Sequence, residues 1–187
     1  MVEKAIKYGY LDGPALLSNI DSDIRTGSLD KIKLYPIKKA IQRIEIAVYH
    51  GSLDIVKYLI ENNAIITSTI FNTAVLRGSL DIVKYLIEND HTVGMFVVSE
   101  YVMGYAAAND YMDIVKYFVR SNIKTNEEAI QWAVYHNLSE MVDYLFFNGA
   151  PYNKNDIDIS RFQNIYIDLL KSFIIDDIIL IIVSYLI

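Results

Sequence analysis

The chain is organised around the stretch Gly51-Ser-Leu-Asp-Ile-Val-Lys-Tyr-Leu-Ile-Glu-Asn62, which recurs as Gly78-Ser-Leu-Asp-Ile-Val-Lys-Tyr-Leu-Ile-Glu-Asn89. The two copies begin 27 residues apart, and looser copies follow at Asp113 and Glu140. Self-similarity with a period between about 20 and 50 residues is the signature of a repeat array. The sequence therefore predicts a solenoid built from small, similar units.

Each unit is predicted to be a hairpin of two helices. In the second helix, apolar residues recur at intervals of three and four, as on the buried face of an amphipathic helix: Leu53, Ile55, Val56, Leu59 and Ile60. The shorter first helix carries an alanine at a constant position: Ala47, Ala74, Ala106 and Ala133. One hairpin is too small to bury its own apolar face, so the stacking of units must close the core.

The predicted ends of these helices have a common chemistry. Every one of the eight end positions holds Gly, Asn or Asp: Gly51, Gly78, Asp110 and Asn137 after the first helix, and Asn63, Asp90, Asn122 and Gly149 after the second. These residue types tolerate the left-handed backbone conformation that terminates many helices. The turns therefore support the same division of the chain as the apolar pattern.

Composition limits the classes of function. A net charge of −6 over 187 residues lacks the basic footprint that binding to nucleic-acid phosphates requires. The absence of Cys excludes disulfides and thiolate zinc sites, and it fits a reducing intracellular setting. The sequence shows no nucleophile–histidine–acid arrangement, phosphate-binding glycine loop or metal-ligand spacing. We therefore expect no enzymatic activity, no cofactor and no metal site.

The unit resembles the ankyrin repeat, most closely the divergent Gly-x-Leu-Asp-Ile-Val-Lys-Tyr-Leu form common in large DNA viruses. The resemblance covers residues 38–150 as about four units and residues 1–37 as degenerate N-terminal units. It implies an all-α, ankyrin-type helix-hairpin solenoid with a C-terminal helical cap. The unit is shorter than the usual ankyrin length of about 33 residues, so we expect shortened loops with little room for a projecting β-hairpin. The longest link, residues 91–100, is the candidate for a fuller binding finger.

In ankyrin proteins the first helices and the loop tips line a concave groove that binds partners. Carried onto this chain by position, the resemblance implies these partner-binding candidates: Glu45, Tyr49, Asn72, Arg77, Asn109, Gln131 and Tyr135. The same faces carry Leu76, Gly104 and Ala108. These positions vary from unit to unit on a constant frame, as a recognition surface would, although an idle exposed face would vary in the same way.

Other conspicuous residues have simpler interpretations. Trp132 could anchor a partner, but we expect it to lie in the core. His50 and His136 occupy one repeat position, three units apart, and are too distant to share a metal ion. Two columns follow from the repeat itself, so contacts between stacked neighbours and a solvated face explain them: Tyr58, Tyr85, Tyr117 and Tyr144, and Lys57, Lys84 and Lys116.

Residues 151–187 leave the repeat pattern and end in Ile174-Ile-Asp-Asp-Ile-Ile-Leu-Ile-Ile-Val-Ser-Tyr-Leu-Ile187. A solenoid needs its last apolar face covered, which favours a hydrophobic cap. The stretch also resembles the opening helix of an F-box at these residues: Asp176, Asp177, Ile178, Ile179, Ile182, Ser184 and Leu186. Its uncharged run, residues 178–187, is about half as long as a bilayer span, so a membrane anchor is disfavoured.

These patterns predict a protein–protein interaction scaffold, monomeric and without chemistry of its own, that binds a partner through its groove and through loop 91–100. The layout of repeats followed by an F-box-like tail resembles that of poxvirus ankyrin proteins. That resemblance implies an alternative function, in which the repeats recruit a target and the tail docks on the adaptor of a cullin-type ubiquitin ligase. It also implies a cytoplasmic location, in a host cell if the chain is viral. A third possibility is a decayed repeat protein with no retained partner.

Overall fold

The computed structural model of the chain describes residues 13–89, 100–123 and 125–152. Within these ranges the chain forms eleven α-helices and no β-strand. The helices are α1 (Gly13–Arg25), α2 (Leu29–Ile32), α3 (Ile37–Ala40), α4 (Ile44–Tyr49), α5 (Leu53–Glu61), α6 (Ser68–Leu76), α7 (Leu80–Asn89), α8 (Glu100–Ala108), α9 (Met112–Arg120), α10 (Glu127–Tyr135) and α11 (Ser139–Phe147). The predicted all-α class is confirmed.

The helices form antiparallel pairs that stack in sequence order. The pairs α4/α5, α6/α7, α8/α9 and α10/α11 are the four predicted hairpins. The first helices contact one another from α4 to α10, and the second helices do so from α5 to α9. The result is a two-layered helical solenoid in which each unit touches its neighbours.

The core lies between the two layers, where the sequence pattern places it. In α5, Ile55, Val56 and Leu59 are almost completely buried, and the equivalent residues of α7, α9 and α11 are buried in the same way. The alanine that marks each first helix has no exposed surface in any of the four units. Burial of one such aliphatic side chain contributes about 1.5–3 kcal/mol, so the repeated apolar face is the main source of stability.

The helix ends adopt the left-handed conformation expected from their residue types. Asn63, Asp110, Asn122 and Asn137 have φ between 56° and 69°, and the glycines at the equivalent positions are also left-handed. After α4, the amide of Gly51 donates to Val48 O and that of the next residue donates to Ala47 O. This is the paired hydrogen bonding of a Schellman cap. Asp90, the eighth predicted end, lies outside the described residues.

The link between α5 and α6 is short, as predicted. Residues 62–67 connect α5 to α6 without a strand, and Thr67 then caps α6 by accepting a hydrogen bond from the amide of Ile70 at 3.3 Å. Asn126 caps α10 in the same way, through the amide of Ala129 at 3.2 Å. Side-chain caps of this kind contribute about 1 kcal/mol each, and they fix where each first helix begins.

The lysine and tyrosine columns form one continuous series of contacts between units. Each lysine ammonium lies over the tyrosine ring of the following unit, which confirms that stacked neighbours explain both columns. The pairs are Lys33–Tyr58 at 6.0 Å, Lys57–Tyr85 at 5.5 Å, Lys84–Tyr117 at 5.8 Å and Lys116–Tyr144 at 5.9 Å from nitrogen to ring centroid. At this partly exposed surface, each cation–π pair contributes about 0.5–1 kcal/mol.

The N-terminal part of the described chain departs from the regular unit. Helix α1 packs against α4, and α2 is only one turn long, since Pro36 follows soon after it. Asp23 binds this turn by accepting hydrogen bonds from Tyr35 Oη at 2.6 Å and from Lys31 Nζ at 2.9 Å. Burial, and then the hydrogen bond and charge of Asp23, raise the pKa of the Tyr35 phenol well above its usual range.

Candidate functional site

A groove of about 870 Å³ lies on the face formed by the first helices of the last two described units, α8 and α10. We call it the aromatic groove. Its lining residues are Tyr101, Tyr105, Glu128, Gln131, Trp132, Val134 and Tyr135. Four of these seven side chains are aromatic, so the surface offered to a ligand is largely apolar with polar edges.

Gly104 explains why α8 and α10 meet so closely. A Cβ atom at this position would lie 3.2 Å from Trp132 Cδ1 and 3.6 Å from Glu128 Cβ. Contacts of 3.2 Å are tighter than ordinary packing, so the indole rests directly against the α8 backbone. Glycine in a helix interior costs about 1 kcal/mol relative to alanine. Glycine is nevertheless suited to this position, because the absence of a Cβ leaves the space in which the Trp132 indole packs against α8.

The aromatic side chains of the groove are exposed together. Tyr101, Tyr105, Trp132 and Tyr135 expose 60%, 48%, 43% and 75% of their surface, respectively. The expectation that Trp132 belongs to the core is therefore wrong. Its neighbour Ala133 occupies the buried position of α10, which turns the indole toward the outer face of the stack. Tyr135 packs edge-on against this indole, with ring centroids 5.9 Å apart.

The charge of the groove is negative. Glu128 is half-buried in its wall, and the described lining residues include no Lys or Arg. Gln131 Nε2 donates a hydrogen bond of 3.3 Å to Glu127 Oε1 on the turn before it. With an overall charge of −6, the chain presents this face in a negative field that favours cationic groups.

The seven predicted partner-binding residues do not form one site. Gln131 and Tyr135 line the aromatic groove. Tyr49 and Arg77 meet each other at the ends of α4 and α6, and Glu45 is exposed on α4. The two remaining candidates lie apart from both groups: Asn72 is half-buried on α6, and Asn109 follows α8 and donates a hydrogen bond to Tyr105 O at 2.9 Å.

The contact between Tyr49 and Arg77 is well defined. The guanidinium carbon lies 4.4 Å from the tyrosine ring centroid, and Arg77 Nε donates a hydrogen bond of 3.1 Å to Tyr49 O. The arginine thus satisfies one carbonyl at the C-terminal end of α4 while it stacks on the ring. These two candidates therefore serve the interface between units.

Prediction by position missed Tyr101, Tyr105 and Glu128. Tyr101 and Glu128 both stand five residues before the buried alanine of their helix, and Tyr105 and Trp132 both stand one residue before it. On α10, the positions five, two and one before the alanine and two after it are Glu128, Gln131, Trp132 and Tyr135. Residues separated by three and four positions lie on one face of a helix, so these four side chains form one stripe. That spacing was the signal in the sequence that could have identified them.

Several other candidates can now be placed. His50 and His136 are exposed at the C-terminal ends of α4 and α10. Among the described residues, no group of three or more His, Cys, Asp or Glu side chains is arranged to hold a metal ion.

Residues 91–99 of the predicted finger lie outside the described residues, as do all F-box-like positions: Asp176, Asp177, Ile178, Ile179, Ile182, Ser184 and Leu186. In the ranges described, no helix is long and apolar enough to cross a bilayer.

Comparison with known families agrees with this architecture. A family model described as ankyrin repeats (3 copies) matches residues 43–100 and 73–156, which together span more than half of the chain. The chain belongs to the ankyrin repeat family. No curated protein and no solved structure matches it significantly. Ankyrin repeats are generally protein–protein interaction modules.

Proposed function

We propose that this chain is a non-enzymatic, monomeric scaffold that binds a partner protein through the aromatic groove, with loop 91–100 adding to the same surface. The observation that carries the proposal is the joint exposure of four large aromatic side chains on one face of α8 and α10. The loop directly precedes Tyr101 in the sequence, so it leads into the helix that forms one wall.

Aromatic exposure of this kind favours binding for an energetic reason. Trp and Tyr present large, rigid surfaces that lose little conformational entropy on contact, and they are enriched among the residues that dominate interface energies. Here Trp132 is held in place by Gly104, and Tyr135 by the edge-on contact with the indole. A partner that covers these rings would meet a surface that is already arranged for contact.

Site-specific photo-crosslinking in the native cell tests this proposal. A benzoyl-phenylalanine in place of Tyr101 or Tyr135 should crosslink to one common protein, whereas the same group at Ile65 should not. Ile65 is a suitable control because it is 80% exposed and does not line the groove. In the chain with Trp132→Ala, capture of that protein should weaken by about 30-fold or more, as expected for an anchor worth about 2 kcal/mol. Equal crosslinking from all three positions would refute the proposal.

A second candidate function rests on the sequence of the C-terminal tail. If the F-box-like residues dock on the adaptor of a cullin-type ubiquitin ligase, the repeats would select the target that the ligase modifies. Replacement of Ile178, Ile182 and Leu186 by Ala in the full chain should then abolish capture of the adaptor and leave groove crosslinking unchanged. Capture that persists in this variant would exclude the adaptor role. We also propose that the chain acts in the cytoplasm, in a host cell if the chain is viral.

A further inference from the structure

We infer that the aromatic groove takes a basic, extended segment of its partner and that an arginine of this segment stacks on Tyr135. This inference rests on the proposed function and adds the chemistry of the partner. It follows from a contact that the chain already makes with itself, and from the charge of the groove.

The internal contact is that of Tyr49 with Arg77. The arginine of the second unit lies 4.4 Å from the centroid of the tyrosine ring of the first unit, and its Nε donates to the tyrosine carbonyl at 3.1 Å. Planar guanidinium groups stack on aromatic rings more readily than ammonium groups do. The contact therefore shows how a tyrosine at this repeat position, together with its carbonyl oxygen, can bind an arginine side chain.

Tyr135 occupies the same repeat position as Tyr49, two residues after the buried alanine. The local arrangement is also the same: Tyr49 stands edge-on to His50 at 5.2 Å, and Tyr135 stands edge-on to His136 at 5.1 Å. Tyr135 is 75% exposed, and none of the described residues donates a hydrogen bond to its carbonyl oxygen. An arginine that approaches Tyr135 from the C-terminal side of its unit, as Arg77 approaches Tyr49, can therefore repeat both halves of the internal contact.

Charge favours a second basic residue on the same segment. Glu128 lies seven residues before Tyr135 on α10, which corresponds to about 10 Å along the helix. An extended peptide advances about 3.3 Å per residue, so basic residues three positions apart would reach the ring and the carboxylate together. Tyr101 and Tyr105 border the path between them, and the described lining residues carry no positive charge that would repel the segment.

Direct titration of the full chain with a defined peptide tests the inference. The probe is acetyl-Gly-Arg-Gly-Gly-Arg-Gly-amide, and the matched control peptide carries citrulline, which keeps the planar shape without the charge, at both arginine positions. Trp132 is the only tryptophan of the chain and lies in the groove, so its fluorescence reports binding. We expect the arginine peptide to bind about tenfold more tightly than the citrulline peptide, because the control loses both the cation–π contact with Tyr135 and the ion pair with Glu128, each worth roughly a factor of two to five at an exposed site.

Variants of the groove give the second part of the test. Tyr135→Leu keeps an apolar side chain without a ring and should weaken arginine-peptide binding about threefold to fivefold, and Glu128→Gln should weaken it by a similar factor. Ile65→Ala should leave it unchanged. Equal affinity for the two peptides, or an unaltered affinity in Tyr135→Leu, overturns the inference. Arg161 stands in the C-terminal segment, residues 151–187. If Arg161→Gln tightens peptide binding, an arginine of this chain competes for the Tyr135 ring, and that result also overturns the inference.

The proposed function has a separate readout. If crosslinks from Tyr101 and Tyr135 identify a common partner while both peptides bind alike, the groove is a protein-binding site that does not select arginine. If those crosslinks identify no common protein, the proposed function itself fails, whatever the peptides do.

Discussion

Replacement of Gly78 by alanine should be much more damaging than the same change at Gly51, although the two glycines end equivalent helices. Both have a left-handed backbone, with φ of 65° and 70°. That conformation costs a non-glycine residue about 1–2 kcal/mol. The difference lies in the neighbouring unit. A Cβ at Gly78 would lie 2.8 Å from Tyr111 Cε1, whereas at Gly51 the nearest atom is the Oγ of Ser79 at 3.7 Å.

The added cost at Gly78 comes from displacement of the Tyr111 ring. This tyrosine donates a hydrogen bond of 3.3 Å from its hydroxyl to Leu76 O, across the boundary between units. Loss of that bond costs about 1 kcal/mol, and the shifted ring loses part of its packing as well. We therefore expect Gly51→Ala to lower the free energy of unfolding by about 1 kcal/mol and Gly78→Ala to lower it by about 2–3 kcal/mol.

Urea unfolding of a double-mutant cycle isolates this contact. The second change is Tyr111→Ser, because serine stands at the equivalent position in the two preceding units. In that background Gly78→Ala should cost no more than Gly51→Ala, which gives a coupling energy of about 1–2 kcal/mol. Helicity from circular dichroism and the fluorescence of Trp132 should be followed together, since repeat arrays need not unfold as one unit. Equal costs at the two glycines, or an absence of coupling with Tyr111, would refute the reasoning.

Three further changes have defined outcomes. Gly104→Ala should alter the stability by less than about 1 kcal/mol, because the gain in helix propensity offsets the tight contact with Trp132; an unchanged fluorescence spectrum of that indole would contradict the packing. Lys84→Gln should lower the free energy of unfolding by about 0.5 kcal/mol, because the cation–π contact with the Tyr117 ring is lost. A decrease above about 2 kcal/mol, measured by urea unfolding, would contradict the assignment of this pair as a weak surface contact. Because the Tyr35 phenol has a higher pKa in the folded chain than the value of 10.0 it has when free, its ionisation opposes folding, and stability present below about pH 10 falls as the pH rises. Tyr35→Phe should therefore lose less stability than the parent chain between about pH 10 and pH 11.5, and parallel curves would contradict this.

The fold could be predicted from the sequence because its signals are local. Asn63 and Asp110 are left-handed for reasons contained in their own residue types and in the turns they end. The alanine of each first helix is buried because every unit repeats the same contact with its neighbours. Where one arrangement is copied four times, each copy supports the interpretation of the others.

The candidate site could be predicted only in part, because it depends on a contact that is not repeated. Gln131 and Tyr135 follow from their positions on the first helix. The exposure of Trp132, and the way it combines with Tyr101 into one surface, depend on the close approach that Gly104 allows between α8 and α10. No other unit has glycine at this position. The repeat pattern therefore gave no indication of this close approach, whereas the helical spacing that places Tyr101 and Trp132 on one stripe was present in the sequence.

The contacts between the lysine and tyrosine columns have a consequence for how the number of units in such a chain can change. In each contact, the lysine of one unit lies over the tyrosine ring of the unit that follows it. The contact is therefore head-to-tail, and any unit that keeps both residues can form it with any other such unit. A gene segment encoding one unit could therefore be duplicated or lost without breaking this lysine–tyrosine contact at the new boundary. Asp143 stands where the last unit would carry its lysine. Duplication of a unit is thus compatible with the lysine–tyrosine contact at every boundary up to Tyr144. In a further copy placed after the last unit, the tyrosine would face Asp143 instead of a lysine.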